Sequence, residues 1–176
     1  VKRSPPPSKV PTANPTDRLY SDFPFFCRMC LEIAYRPGLN PNAPDGGYGA
    51  FVLNEGQRKV AAVMLDQWLN DEPVRIIILK SRQLGITTLL MAFWLWLIIQ
   101  NPGITAMIII DKGDHLNEKR QTYVRWLERM AESYPGLPNI NRRGSKVIEL
   151  QNMSRILFES AEAPNPGTSE HIAILH

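Results

Sequence analysis

From residue 74 onward the chain switches between a strand-like and a helix-like apolar pattern. Val74–Leu79 (VRIIIL) is a short β-branched run with the look of a buried parallel strand. Ile86–Ile99 is apolar nearly all round, which predicts a helix covered on every side. Asn101-Pro102-Gly103 stops that helix, and Thr105–Ile110 (TAMIII) predicts a second strand ending at Asp111. Asp114–Glu132 reads as an amphipathic, charged helix. Lys146–Leu150 and Arg155–Glu159 flank Gln151–Ser154 as a β-hairpin, and a loop with Pro164, Pro166 and Gly167 leads to a final strand-like run, His171–His176. Strands and helices in this alternation predict an α/β fold with a largely parallel sheet flanked by helices.

The first part of the chain is organised differently. Residues 1–16 (VKRSPPPSKVPTANPT) hold five prolines and almost nothing apolar, and so predict an extended or disordered arm. Asp17–Tyr35 places Phe23, Phe25, Phe26, Met29, Cys30 and Ile33 roughly at helical spacing, with Pro24 tolerable in a first turn. Arg36–Ala50 has three Pro and four Gly and reads as a loop. Asn54–Leu69 predicts a helix with Asn54 as N-cap and Val60, Val63, Met64 and Leu65 inward. The expected organisation is an arm over 1–16, a helical segment over 17–73 and an α/β core over 74–176.

Composition narrows the class. A chain of 176 residues, 44% of them hydrophobic, can bury a core, and two Cys exclude a disulfide-stapled module. The longest apolar run, Leu89–Ile99, is about half of the ~18–20 residues that span a bilayer, so no membrane partner is expected. Lys2, Arg3 and Lys9 in the arm account for the whole net charge of +3. The basic pI is therefore no sign of a nucleic-acid-binding face on the folded part. A missing initiator Met and an apolar run stopping at His176 suggest a fragment of a longer protein.

The segment that carries chemistry is Leu79–Thr88, LKSRQLGITT, between the first strand and the apolar helix. A phosphate-binding P-loop has the pattern G-x-x-x-x-G-K-[ST] in that context; its backbone N–H groups and the helix dipole hold phosphate oxygens. Over this pattern Gly85 is the second Gly and Thr87 the hydroxyl residue, but Ile86 stands in the lysine position and Lys80 in that of the first Gly. Lys80 begins the same loop, and its long side chain can return the charge to the same phosphates. Two readings stay open on the residues alone: a phosphate loop with a displaced lysine, or a plain strand-to-helix connection.

LKSRQLGITT resembles the phosphate loop of phage terminase large subunits, the ATPases that package DNA into procapsids, in the deviant form whose lysine leads the loop. Phe51–Lys59 (FVLNEGQRK) is similar to that family's adenine-recognising segment, with Gln57 as its glutamine. The likeness covers about residues 50–176 and is specific only at the loop. It implies a P-loop NTPase fold with ATP and Mg2+ as ligands. Gln57, Lys80, Ser81, Arg82, Gln83, Gly85, Ile86, Thr87 and Thr88 would surround the nucleotide, Lys80 on the β/γ-phosphates, Arg82 on the γ-phosphate and Thr87 on the metal. It also implies double-stranded DNA, a portal protein and a small terminase subunit as partners, a homo-oligomeric ring on the procapsid, and work in the host cytoplasm.

The family's acidic motif follows a hydrophobic strand. Ile172–Leu175 (IAIL) has that character, but no acid follows in this chain, so poor hydrolysis is expected of it as it stands. Asp111 comes too early in the chain for that motif and suits a capping or loop role. The rival readings are another P-loop ATPase, helicase-like, or a non-catalytic binding or scaffold module. Weaker signals have plainer explanations. Cys27-x-x-Cys30 lacks the further ligands a structural zinc needs and suggests reduced core thiols. Trp94, Trp96 and Trp126 suit a core or a subunit interface. Lys119, Arg120, Arg125 and Arg129, with Arg142, Arg143 and Lys146, suit a solvated surface or a DNA-tracking stripe.

Overall fold

The computed structural model of the chain describes residues 15–38, 47–79, 84–110, 113–160 and 172–175. Two compact units, Val1–Phe93 and Trp94–His176, divide inside one helix.

In the first unit, α1 (Pro15–Ser21) and α2 (Phe23–Cys30) divide the stretch over 17–35 whose apolar positions lie roughly at helical spacing, with Pro24 in a first turn as expected. The break is local chemistry. Asp22 leaves the helix and caps α2, its carboxylate accepting from the Phe25 N–H at 2.9 Å, while Pro24 sits in the first turn, where no N–H is needed. Arg18 pairs with Asp22 at 2.9 Å across the junction. Pro15 and Thr16 already belong to α1, so the arm expected over 1–16 ends at least two residues earlier; residues 1–14 lie outside the described residues.

Leu31 then adopts extended backbone, and Glu32–Tyr35 becomes β1, antiparallel to β2 (Gly47–Ala50). The loop expected over 36–50 thus closes on a strand. The two Gly and the Ala of Gly-Tyr-Gly-Ala disfavour one; the ladder to β1 supplies it, with the Tyr35 hydroxyl donating to the Ala50 carbonyl at 2.9 Å. α3 (Glu55–Leu69) follows with Asn54 as its N-cap, as expected. Its buried face is Gln57, Ala61 and Met64, an i, i+4, i+7 stripe; Met64 points inward as predicted, whereas Val63 is 49% exposed. Leu19, Phe26, Cys27, Cys30 and Phe51 are fully buried in this unit, and Phe23 meets Phe93 edge-on with ring centroids 5.3 Å apart.

The strand predicted over Val74–Leu79 is overturned. These residues belong to neither sheet. Val74, Ile76 and Ile78 are half-buried, while Arg75 is exposed, Ile77 is 94% exposed and Leu79 96%. Burial of period two shows that the β-branched residues keep an extended habit. A strand also needs a neighbour to exchange N–H and C=O groups with, and no described segment provides one.

The apolar helix predicted from residue 86 is α4 (Ile86–Gln100), and its burial is nearly all round, Leu95, Leu97 and Ile98 being 0% exposed. In the second unit β3 (Thr105–Ile110) is followed by α5 (Gly113–Ser133), β4 (Ile140–Arg143), β5 (Val147–Leu150), β6 (Arg155–Ser160) and β7 (Ile172–Leu175). They form one five-stranded sheet in the order β4-β5-β6-β3-β7. β3 runs parallel to β6 and β7, with Ile108 opposite both Phe158 and Ile174. The β5–β6 hairpin is as predicted, but with β4 it forms an antiparallel meander, so the sheet is mixed where a largely parallel one was expected. β4 escapes the sequence pattern because three of its four residues, INRR, are polar and exposed, as an edge strand permits. α5 buries Tyr123, Val124, Trp126, Leu127 and Met130, and Tyr123 contacts Trp126 and Phe158 edge-on, each at 5.8 Å. Among the described residues no helix is long and apolar enough to cross a membrane.

Candidate functional site

The start of α4 is set by Gly85. Its φ of +68° lies in the left-handed region, which glycine enters without a Cβ penalty. The chain turns there from the exposed Leu84 into the helix, and the Gly85 carbonyl accepts the first helical bond from the Leu89 N–H at 3.1 Å. Ile86 is buried at 4% exposure and anchors the first turn; Thr87 and Thr88 beside it are half-buried. By helix geometry the N–H groups of Ile86, Thr87 and Thr88 have no acceptor within α4, and the helix dipole makes this end partially positive.

A second helix start is tied to this one. Asn54 and Gln57 form a reciprocal capping box: the Asn54 side chain accepts from the Gln57 N–H at 2.9 Å, and Gln57 Oε1 accepts from the Asn54 N–H at 3.0 Å. The other end of the Gln57 carboxamide crosses to α4, Nε2 donating to the Gly85 carbonyl at 2.9 Å. Asn54 Nδ2 donates more weakly to the Leu84 carbonyl at 3.4 Å. The segment bearing the box is itself held, since Phe51 donates its N–H to Leu31 at 2.9 Å and Arg58 donates to the Leu53 carbonyl at 2.9 Å. Gln57 is therefore 4% exposed rather than solvated on a helix face.

Of the residues singled out in the sequence, Gln57 and Gly85 are in direct contact, and Ile86, Thr87 and Thr88 follow in the first turn of α4. Lys80, Ser81, Arg82 and Gln83 lie outside the described residues, as does Asp111. The final strand-like run is β7, at the edge of the second sheet beside β3. Asn54 carries a role beyond the N-cap assigned to it: the Asn-x-x-Gln spacing is a capping-box signal, and it is this box that fixes the Gln57 oxygen and leaves its nitrogen to reach Gly85.

The remaining signals have structural explanations. Cys27 and Cys30 are free thiols at 0% exposure; burial, then the neighbouring Cys30 thiol, pushes Cys27 well above the ordinary thiol range. Among the described residues no three metal-ligating side chains gather. Trp96 and Trp126 are core residues. Four of the basic positions of the second unit are engaged within it: Arg143 with Glu128, Arg142 with Glu149 at 4.0 Å, Lys119 with Glu118 at 3.0 Å, and Arg120 on the Gly144 carbonyl at 3.4 Å.

The sequence pattern does not mark a cleft of about 270 Å³ in the second unit, where the C-terminal end of β6 meets α5. Leu116, Asn117, Phe158 and Ser160 line it with the Lys146–Glu159 pair, whose atoms are 3.3 Å apart. The pair joins residues on either side of the hairpin, a separation that helical or strand periodicity cannot reveal. No protein-family model matches the chain, and comparison with curated proteins gives no match.

Proposed function

We propose that this chain carries the nucleotide-binding part of a terminase large subunit, an ATP hydrolase that drives double-stranded DNA into a phage procapsid. One observation supports this above the others. The two segments that the resemblance pairs, Phe51–Lys59 and Leu79–Thr88, meet through the Gln57–Gly85 hydrogen bond at 2.9 Å. The N–H groups that follow the Gly85 turn and open α4 suit a phosphate, because the helix dipole there favours negative charge. In this reading Lys80, Ser81, Arg82 and Gln83 complete the loop, with Lys80 and Arg82 neutralising phosphate charge. Thr87 would supply a hydroxyl to Mg2+, whose charge would offset that of the phosphates. A portal protein, a small terminase subunit, a ring of copies and the host cytoplasm belong to the same proposal, and the loop's resemblance alone carries them.

A second reading is favoured by residues 74–79. A phosphate loop is ordinarily braced by a sheet strand on one side and a helix on the other, and here the helix is present while Ile77 and Leu79 are almost wholly exposed. On that view the loop is a simple connection in a non-catalytic module. Calorimetry of Mg·ATP binding to this chain and to Lys80→Ala separates the two. Binding by the parent that weakens at least tenfold in the variant supports the nucleotide site. Binding equal in both, or absent from the parent, overturns it.

A further inference from the structure

We infer that Gln57 is a positioning residue for the phosphate loop, acting on the Gly85 backbone and not on a nucleotide base. The inference rests on the nucleotide-site reading above for its ligand and on the geometry for its mechanism. A carboxamide offers two N–H donors and one oxygen with two lone pairs. In Gln57 the oxygen is held by the Asn54 N–H at 3.0 Å and the nitrogen by the Gly85 carbonyl at 2.9 Å, so both ends are fixed and the group is almost fully buried. A base edge would have to use the second N–H and the second lone pair, and at 4% exposure it reaches neither unless the carboxamide leaves its place. Leaving would open the α3 capping box and release the carbonyl that starts α4.

Staying in place has a direct consequence for a bound phosphate. The Gly85 carbonyl accepts from Gln57 and from Leu89 together, at 2.9 and 3.1 Å, which fixes the peptide plane between Gly85 and Ile86. That plane sets the direction of the Ile86 N–H, the first donor of α4. Asn54 acts one residue earlier, on the Leu84 carbonyl. Two successive carbonyls of the loop exit are thus held from α3, and the N–H groups that would meet phosphate are aimed before any ligand arrives.

Gln57→Glu isolates this role. Glu keeps an oxygen for the Asn54 N–H, so the capping box survives, but when ionised it places a carboxylate against the Gly85 carbonyl in place of a donor. The readouts are amide exchange at Leu89, and Mg2+-dependent calorimetry with ATP, GTP and inorganic triphosphate. With both proteins folded at the assay temperature, the expected result is a lowered melting midpoint, because a carboxylate at this buried position faces the Gly85 carbonyl in place of a donor. Leu89 exchange is expected about tenfold faster, and all three ligands weakened together about tenfold at an unchanged ATP-to-GTP ratio. As pH falls through the carboxyl range, protonated Glu regains an O–H donor, and the variant-to-parent ratio of exchange rates closes; a loss that is only structural would not recover. Glu55, Arg58 and Lys59 of α3 are shared by both proteins and cancel in that ratio. Loss of ATP binding with triphosphate unaffected, or Leu89 exchange unchanged, overturns the positioning role. A parent that binds none of the three ligands overturns the nucleotide-site reading instead, and the Leu89 exchange ratio then decides the Gln57 contact by itself.

Discussion

A Cβ added at Gly85 would stand 2.8 Å from Nε2 of Gln57, closer than side-chain carbons are found to ordinary neighbours. The loop exit and the buried carboxamide are therefore packed to the limit that glycine allows. Gly85→Ala meets two penalties, the crowding of Gln57 and a φ of +68° that an L-residue resists. Together they are expected to cost about 1–3 kcal/mol of stability in urea unfolding. In a Gln57→Ala background the crowding disappears and the φ penalty remains, so the double variant should lose less than the sum of the singles. Strict additivity would show that the packing contact is unimportant.

Ser154 fixes the far end of α4 in a comparable way. It is fully buried; its hydroxyl accepts from the Ile104 N–H at 3.1 Å and donates to the Asn101 carbonyl at 3.2 Å. Asn152 Nδ2 adds a bond to the Ile98 carbonyl at 2.9 Å, so the hairpin turn holds both the helix end and the entry to β3. Ser154→Ala strands a buried N–H and is expected to cost about 1–3 kcal/mol in denaturant unfolding. A loss below a few tenths of a kcal/mol would mean that the Ile104 N–H finds another acceptor.

Those two contacts mark how far the sequence could be read. α4, β3, α5 and the β5–β6 hairpin follow from local pattern, α4 and β3 as unbroken apolar runs separated by Asn101-Pro102-Gly103 and α5 by its helical period. Asn54 as a cap is equally local. Apart from the Asp22 cap that divides α1 from α2, the failures are non-local. Gly47–Ala50 is a strand only because β1 lies beside it, and Val74–Leu79 is not one because nothing among the described residues does. Val63 was expected inward, but the buried stripe of α3 starts from Gln57, a polar residue that ranks with the surface until its two partners, Asn54 and Gly85, are known. For the candidate site, Gly85 and the Asn54-x-x-Gln57 spacing were visible as separate features. Their junction across the fold was not, because it is a tertiary hydrogen bond with no sequence period.

Alkaline pH tests both cores, through a buried acidic group in each. Burial raises Cys27 of the first unit above its ordinary 9.0 and Tyr123 of the second above its ordinary 10.0. Each group keeps its proton in the folded state over a range where the unfolded chain has lost it. Folded protein then holds more protons than unfolded, so stability is complete below about pH 9 and falls as pH rises beyond it. The limiting slope is about 1.4 kcal/mol per pH unit for each group once it is ionised in the unfolded chain. Urea unfolding between pH 7 and 11 should therefore give a plateau followed by a decline. Tyr123→Phe keeps the aromatic ring while removing the ionisable hydroxyl, and is expected to flatten the decline in the second unit. Unfolding stability that holds steady to pH 11 in the parent would show that neither group is buried as described, since a solvated thiol or phenol contributes no such difference.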